Sequence, residues 1–178
     1  SVLMASEKRP GARTTRLGVA RIAVIDPYAI RLCYNKPVMS DPNPPIRSAV
    51  VMSPRSLPEA GFEADKIAAE LQDYHIRAVE GLLDDDSLCE RVKGHEFDLM
   101  IVLGGDGTML RAGHLGGPSD TPILGINMGR FGFLMEVRQS QWHDHLKRLA
   151  KGDYWLEKRM MLCAVQWRSS VKFGSWDV

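Results

Sequence analysis

The sequence predicts a three-layer α/β domain built on a mostly parallel sheet. Three observations predict it. Short apolar runs of strand length alternate along the chain with longer segments whose apolar residues recur every three or four positions. One run, Asp98-Leu-Met-Ile-Val-Leu103, is apolar without a break after its first residue, as a central parallel strand covered on both faces requires. The order strand, helix, strand, helix, strand, helix then implies right-handed crossovers between parallel strands.

The alternation begins near Ser48. Before it, up to residue 31, Lys8, Arg9, Arg13, Arg16, Arg21 and Arg31 stand against only Glu7 and Asp26. An organellar address peptide has this Arg-rich, acid-poor composition, and so does a poorly ordered extension. Arg21-Ile-Ala-Val-Ile25 could make a short strand, but Asp41-Pro-Asn-Pro-Pro45 cannot continue it. Residues 1–45 are therefore expected to lie outside the fold, with the α/β domain over 46–152.

Ala49-Val-Val-Met52 reads as the first strand of the domain, closed by Ser53-Pro54. Ser56 and Glu59 have the spacing of a capping box, and Pro58 is tolerated in a first helical turn. Ala60, Ala64, Ile67, Leu71 and Tyr74 follow as one apolar stripe, which places Glu63, Lys66 and Glu70 toward water. A weaker strand is expected at 77–80. Asp84-Asp85-Asp86 then offers caps to a helix whose Leu88 and Val92 share a face. After the strand at 98–103 come a helix over about 108–114, a Gly116-Gly117-Pro118 loop and a buried strand at 122–127. A last helix starts near Ser140, with Trp142, Leu146 and Leu149 at i, i+4 and i+7.

Composition narrows the function. A net charge of +1 offers no broad attraction to nucleic acid or to an anionic membrane, and no apolar run approaches a membrane span. The chain reads as a soluble, cytoplasmic protein. Cys33, Cys89 and Cys163 are scattered and form no C-x-x-C pair, so neither a disulfide framework nor a zinc site is indicated. His143 and His145 are two apart on a predicted helix and point to different sides.

Gly104-Gly-Asp-Gly-Thr-Met-Leu110 lies between a strand end and a helix start. Ligands of open α/β sheets bind beyond the carboxyl ends of the strands. Glycines there let backbone N–H groups approach a phosphate, and the helix N-terminus adds donors. An Asp-Gly turn would need the aspartate and one glycine, not all three. The motif is neither a P-loop nor a dinucleotide fingerprint, since no G-x-x-x-x-G-K-[ST] or strand-following G-x-G-x-x-G is present. Its distinguishing part is Asp106. A carboxylate among amides would repel a bare phosphate, so it calls for another partner: a sugar hydroxyl, Mg²⁺, or the proton of an attacking alcohol. All three belong to phosphoryl transfer onto an alcohol.

Together with Gly125-Ile-Asn-Met-Gly-Arg-Phe-Gly-Phe-Leu-Met-Glu136, this loop resembles the paired signature of NAD kinases over roughly residues 48–165. The first motif is shared with diacylglycerol and sphingosine kinases and, more loosely, phosphofructokinases; the second is far more specific. The resemblance implies ATP or polyphosphate as donor, NAD as acceptor, and Mg²⁺ or another divalent cation entering with ATP. It implies a homodimer or homotetramer with no nucleic-acid or membrane partner. It makes Asp106 the catalytic residue that orients, and deprotonates, the ribose 2′-hydroxyl. Gly107 would lie against the same nucleotide and Gly104 and Gly105 near the donor. Arg111 would be a basic dinucleotide contact and Phe133 would pack on an adenine ring. Asn127 and Arg130 are further polar candidates.

The chain also departs from that family. The family's second, β-rich domain carries an Asn-Glu pair and a Thr/Gly/Ser-rich stretch, and neither occurs here. Residues 153–178 are expected to begin that NAD-binding domain and leave it incomplete, with low activity for this form alone. A lipid kinase of the diacylglycerol type would show Gly-Thr-x-Asn-Asp after its glycine loop, which 125–136 does not contain. A non-catalytic nucleotide-binding module is the remaining alternative.

Overall fold

A computed structural model describes residues 19–24, 44–129, 132–160, 163–168 and 171–177. In chain order these form β1 (Val19–Val24), β2 (Ser48–Ser53), α1 (Pro58–Asp73), β3 (Arg77–Leu82), α2 (Asp86–Lys93), β4 (Leu99–Gly104), α3 (Asp106–Gly116) and β5 (Ile123–Asn127). There follow β6 (Val137–Arg138), a 3₁₀ turn (Gln139–Gln141), α4 (Trp142–Ala150), β7 (Trp155–Met160), β8 (Cys163–Arg168) and β9 (Val171–Asp177). The main sheet runs β3-β2-β4-β5-β1-β7, with β6 also on β5. All its ladders are parallel except β1 with β7. The α/β class with a mostly parallel sheet is as the sequence indicates.

The two faces of the sheet sort by the two-residue period of a strand. Ala49, Val51, Leu99, Ile101, Leu103, Leu124 and Ile126 pack under α1 and α4. Val50, Met52, Met100, Val102 and Ile123 pack under α2 and α3. Every residue of β2, β4 and β5 is buried, which accounts for their largely apolar composition. The Asp98 carboxylate fixes the start of this pairing: its Oδ2 accepts from the Arg47 and Ser48 amides and the Ser48 hydroxyl, each at 2.9 Å.

From β2 the chain crosses by α1 to β3 on one side, and from β4 it crosses by α3 to β5 on the other. The strand order therefore reverses between β2 and β4. In open α/β sheets a crevice forms at the carboxyl ends of the strands at such a point. Here it lies between Ser53 and Gly104.

Three helices stop alike. After α1, the His75 amide donates to the Gln72 carbonyl and the Ile76 amide to Leu71; after α2, His95 donates to Val92 and Glu96 to Arg91; after α4, Gly152 donates to Leu149 and Asp153 to Arg148. These are Schellman caps, in which the first residue past the cap turns left-handed. Gly152 has φ 73°, and the histidines take the same region at 61° and 59°.

Four expectations are corrected. Val19–Val24, inside the segment expected outside the fold, is a strand seated between β5 and β7; the proline cluster at 41–45 ends local continuity but does not prevent an earlier strand from pairing at long range. Cys33 and the rest of 25–43 lie outside the described residues. Trp155–Met160, expected to open a separate β-rich unit, pairs antiparallel with β1 in the main sheet, while β8 and β9 pair with each other. The N-cap of α1 is Leu57 with no side-chain hydrogen bond, so the Ser56–Glu59 box does not form; Pro58, which needs no amide partner, begins the helix instead. Glu63 and Glu70 are not left to water. The Trp142 indole N–H donates to Glu63 at 2.7 Å, and Glu70 accepts from the Tyr74 hydroxyl and pairs with His143 Nδ1.

Candidate active site

β4 ends at Gly104, whose φ of 155° is one that L side chains rarely adopt. A Cβ there would also collide with the Thr108 side chain. Gly104 is thus required by the backbone. Gly105 is the N-cap of α3, and its carbonyl accepts from the Thr108 and Met109 amides at 2.9 and 3.1 Å. A Cβ at Gly105 or Gly107 would meet nothing within 4 Å. Packing does not demand glycine at these two exposed positions, and the space above them is open. The first turn of α3 points its leading N–H groups, with the positive end of the helix dipole, into that space.

Asp106 is the first residue of α3 and is half-buried. Its Oδ2 accepts from the Phe133 amide at 2.9 Å and its Oδ1 from the Leu134 amide at 3.0 Å. These backbone N–H groups, Phe133 first, then Leu134 and Met135, hold the carboxyl below its usual range, against the opposing effect of burial. The side chain stays ionised and aimed. Gly132 makes the approach possible, because a Cβ there would fall on the Asp106 carboxylate. The second motif is joined to the glycine turn at another point, where the Met128 amide donates to the Gly104 carbonyl at 2.9 Å, just beyond the Gly104–Asn127 pairing of β4 and β5. Gly125 gives the close packing beneath, since a Cβ there would strike the Met135 sulfur.

Gly104, Gly105, Asp106 and Gly107 thus form one turn, as their sequence requires, and the Phe133 backbone closes on it. The Phe133 side chain is 97% exposed at the mouth. Arg111 is exposed on α3, five residues past Asp106. Asn127 is buried at the end of β5, where its Oδ1 accepts from the Gly129 amide at 2.8 Å, so it shapes the loop. Arg130 lies outside the described residues. Sequence reasoning missed the amides of 133 and 134 as partners of Asp106; the glycine at 132 was the available signal. Among the described residues no three His, Cys, Asp or Glu side chains gather as a metal cage.

The family description "ATP-NAD kinase N-terminal domain" matches residues 48–154, well over half of the chain. The chain belongs to the NAD kinase family. An NAD kinase of Heliobacterium modesticaldum is 49% identical over 67 residues, which is 38% of this chain and 24% of that protein. An NAD kinase of Syntrophotalea carbinolica is 43% identical over 81 residues, 46% of this chain and 28% of its own length. The matched stretch thus spans about a quarter of these curated relatives. Among solved structures, yeast NADH kinase complexed with NADH superposes with a TM-score of 0.51 at 14% identity, over 91% of this chain and 53% of that one. That likeness supports the fold. The residues that match the NAD kinase family include the whole glycine turn and the segment that closes on it.

Proposed function

We propose that the protein is an NAD kinase, which transfers the terminal phosphoryl group of ATP or inorganic polyphosphate to the 2′-hydroxyl of the adenosine ribose of NAD, giving NADP. The observation that carries this reading is Asp106, a carboxylate fixed by two amides at the mouth of a helix N-terminus. A carboxylate has about four lone-pair sites, so the Phe133, Leu134 and Met135 amides still leave room to accept the ribose hydroxyl. With its pKa held low, Asp106 is a weak base, so its role is chiefly to orient the attacking oxygen and take its proton late, as the new P–O bond forms and the bond to the leaving phosphate breaks. A loose phosphoryl-transfer transition state asks for positioning and charge stabilisation more than for a strong base. The N–H groups leading α3 supply the second.

Mg²⁺ or another divalent cation, entering on ATP, would neutralise the transferring phosphates. An ion that keeps most of its water and needs one or two carboxylates fits a site offering Asp106 alone. Phe133 is assigned to the adenine ring and Arg111 to the dinucleotide phosphates, each because its side chain is exposed beside the turn. The relatives are about four times longer than the matched stretch. Completion of the NAD site by a β-rich domain, a dimeric or tetrameric assembly and a cytoplasmic location belong to the same reading.

The deciding experiment measures NADP formation from NAD with ATP and with polyphosphate, using wild type and Asp106→Asn, and repeats it with NADH as acceptor. Turnover is expected to fall by ~10²–10⁴-fold in the variant with the fold intact. Full activity in the variant removes Asp106 from the mechanism; nucleotide binding without turnover in the wild type favours a non-catalytic module.

A further inference from the structure

On the other side of the strand-order reversal, a second cleft opens between α1 and the carboxyl ends of β2 and β3. Its volume is about 270 Å³, and Ser53, Pro58, Gly61, Phe62, Asp65 and Glu80 are among its lining residues. That is the scale of one ring system rather than a whole ligand. Ser53 is 3% exposed and its hydroxyl lines the cleft. Gly61 faces this hydroxyl from the helix. Glycine inside a helix is unfavourable, and packing does not require it here, because the nearest atom to an added Cβ would be Ser53 Oγ at 3.9 Å. What the missing methyl does is leave the serine uncovered. Phe62, one residue on, presents its ring 70% exposed.

We propose that this cleft takes the base of the phosphoryl-donor nucleotide, an aminopurine, with its ring against Phe62, its exocyclic amine on the Asp65 or Glu80 carboxylate and a ring nitrogen on Ser53. This rests on the kinase reading and extends it to donor selectivity. The chemistry matches: an aromatic face for stacking, carboxylates that can only accept, and a hydroxyl that can donate. Position matches too. Met52 pairs with Val102, so the end of β2 lies one strand, about 4.8 Å, from the glycine turn. Arg55, two residues past β2, is 72% exposed and held at 3.3 Å by Asp84 beyond the end of β3. Such an exposed pair is weak, so the guanidinium can turn to a phosphate chain running from the cleft to α3.

Calorimetric titration of the chain with a non-hydrolysable ATP analogue, tripolyphosphate and NAD tests this. Wild type is expected to bind the analogue more tightly than tripolyphosphate, which has no base. Phe62→Ala and Ser53→Ala are expected to weaken the analogue about tenfold and to leave tripolyphosphate and NAD unchanged. Gly61→Ala is expected to raise thermal stability while weakening the analogue, a pairing that a purely structural role would not produce. Unchanged analogue affinity in all three variants overturns the proposal, as does equal weakening of tripolyphosphate. NADP formation that survives Asp106→Asn would instead count against the kinase reading, while base-dependent binding of the analogue would keep the cleft assignment standing.

Discussion

The Asp106 carboxylate occupies the place where a side chain at Gly132 would begin. The two residues are 26 apart in sequence, and the contact joins the signature segments into one site. Gly132→Ala should push the carboxylate off the Phe133 and Leu134 amides without touching either sheet face. NADP formation is expected to drop by ~10²-fold or more, the penalty of a reacting group displaced by about an ångström. Far-UV circular dichroism should remain that of the wild type. An alanine variant with ordinary turnover would show that the close approach is dispensable.

The same clasp sets a pH dependence. The folded-state pKa of Asp106 is depressed by the amides of 133 and 134, so its contribution is complete above the unfolded-state carboxylate range, about pH 3.9. It is lost as pH falls through the lower folded value. Denaturant titrations of wild type and Asp106→Asn should differ by a constant amount at neutral pH. The two curves should converge only in strong acid; a gap that closes between pH 6 and 8 would contradict the assignment.

Helix ends offer a stabilising change. His75 and His95 hold the left-handed position that Gly152 fills in the third Schellman cap. Glycine relieves a strain of roughly 1–2 kcal/mol but loses part of that to unfolded-chain entropy, roughly 0.5–1 kcal/mol. His75→Gly and His95→Gly should each therefore raise stability by about 0.5 kcal/mol, read as a shift in urea midpoint at unchanged slope. A fall in midpoint would mean that the imidazoles make contacts the backbone does not reveal.

Trp142 tests the junction of α1 with α4. Its ring is 1% exposed and its indole N–H bonds Glu63, whose carboxyl is lowered by Trp142 and Lys66 against the opposing effect of burial. Trp142→Phe should cost about 1–3 kcal/mol, because Glu63 Oε1 loses its indole donor. The Glu63→Gln, Trp142→Phe double variant should recover part of that loss.

Those elements were legible whose pattern is local. β4 and β5 announce themselves by unbroken apolar runs, and α2 by Asp85, which caps the Leu88 amide at 3.1 Å. The glycine turn was legible because strand end, glycines and helix start are contiguous. What distant pairing decides was not legible. β1 needs β5 and β7 to exist as a strand, Glu63 meets Trp142 across 79 positions, and Asp106 finds its amides 27 and 28 residues on. Periodicity placed Glu63 on the polar side of α1 correctly, but could not foresee a second helix lying along that side.

Met128 is tied to the Gly104 carbonyl and Phe133 to the Asp106 carboxylate, so the span between them is fastened at both ends to the same turn. Gly132 belongs to the second mooring and must stay, because a Cβ there would fall on the Asp106 carboxylate. Insertions grafted after Met128 and short of Gly132 should then leave the Asp106 clasp in register, which on the kinase reading marks this stretch as the place to retune acceptor choice.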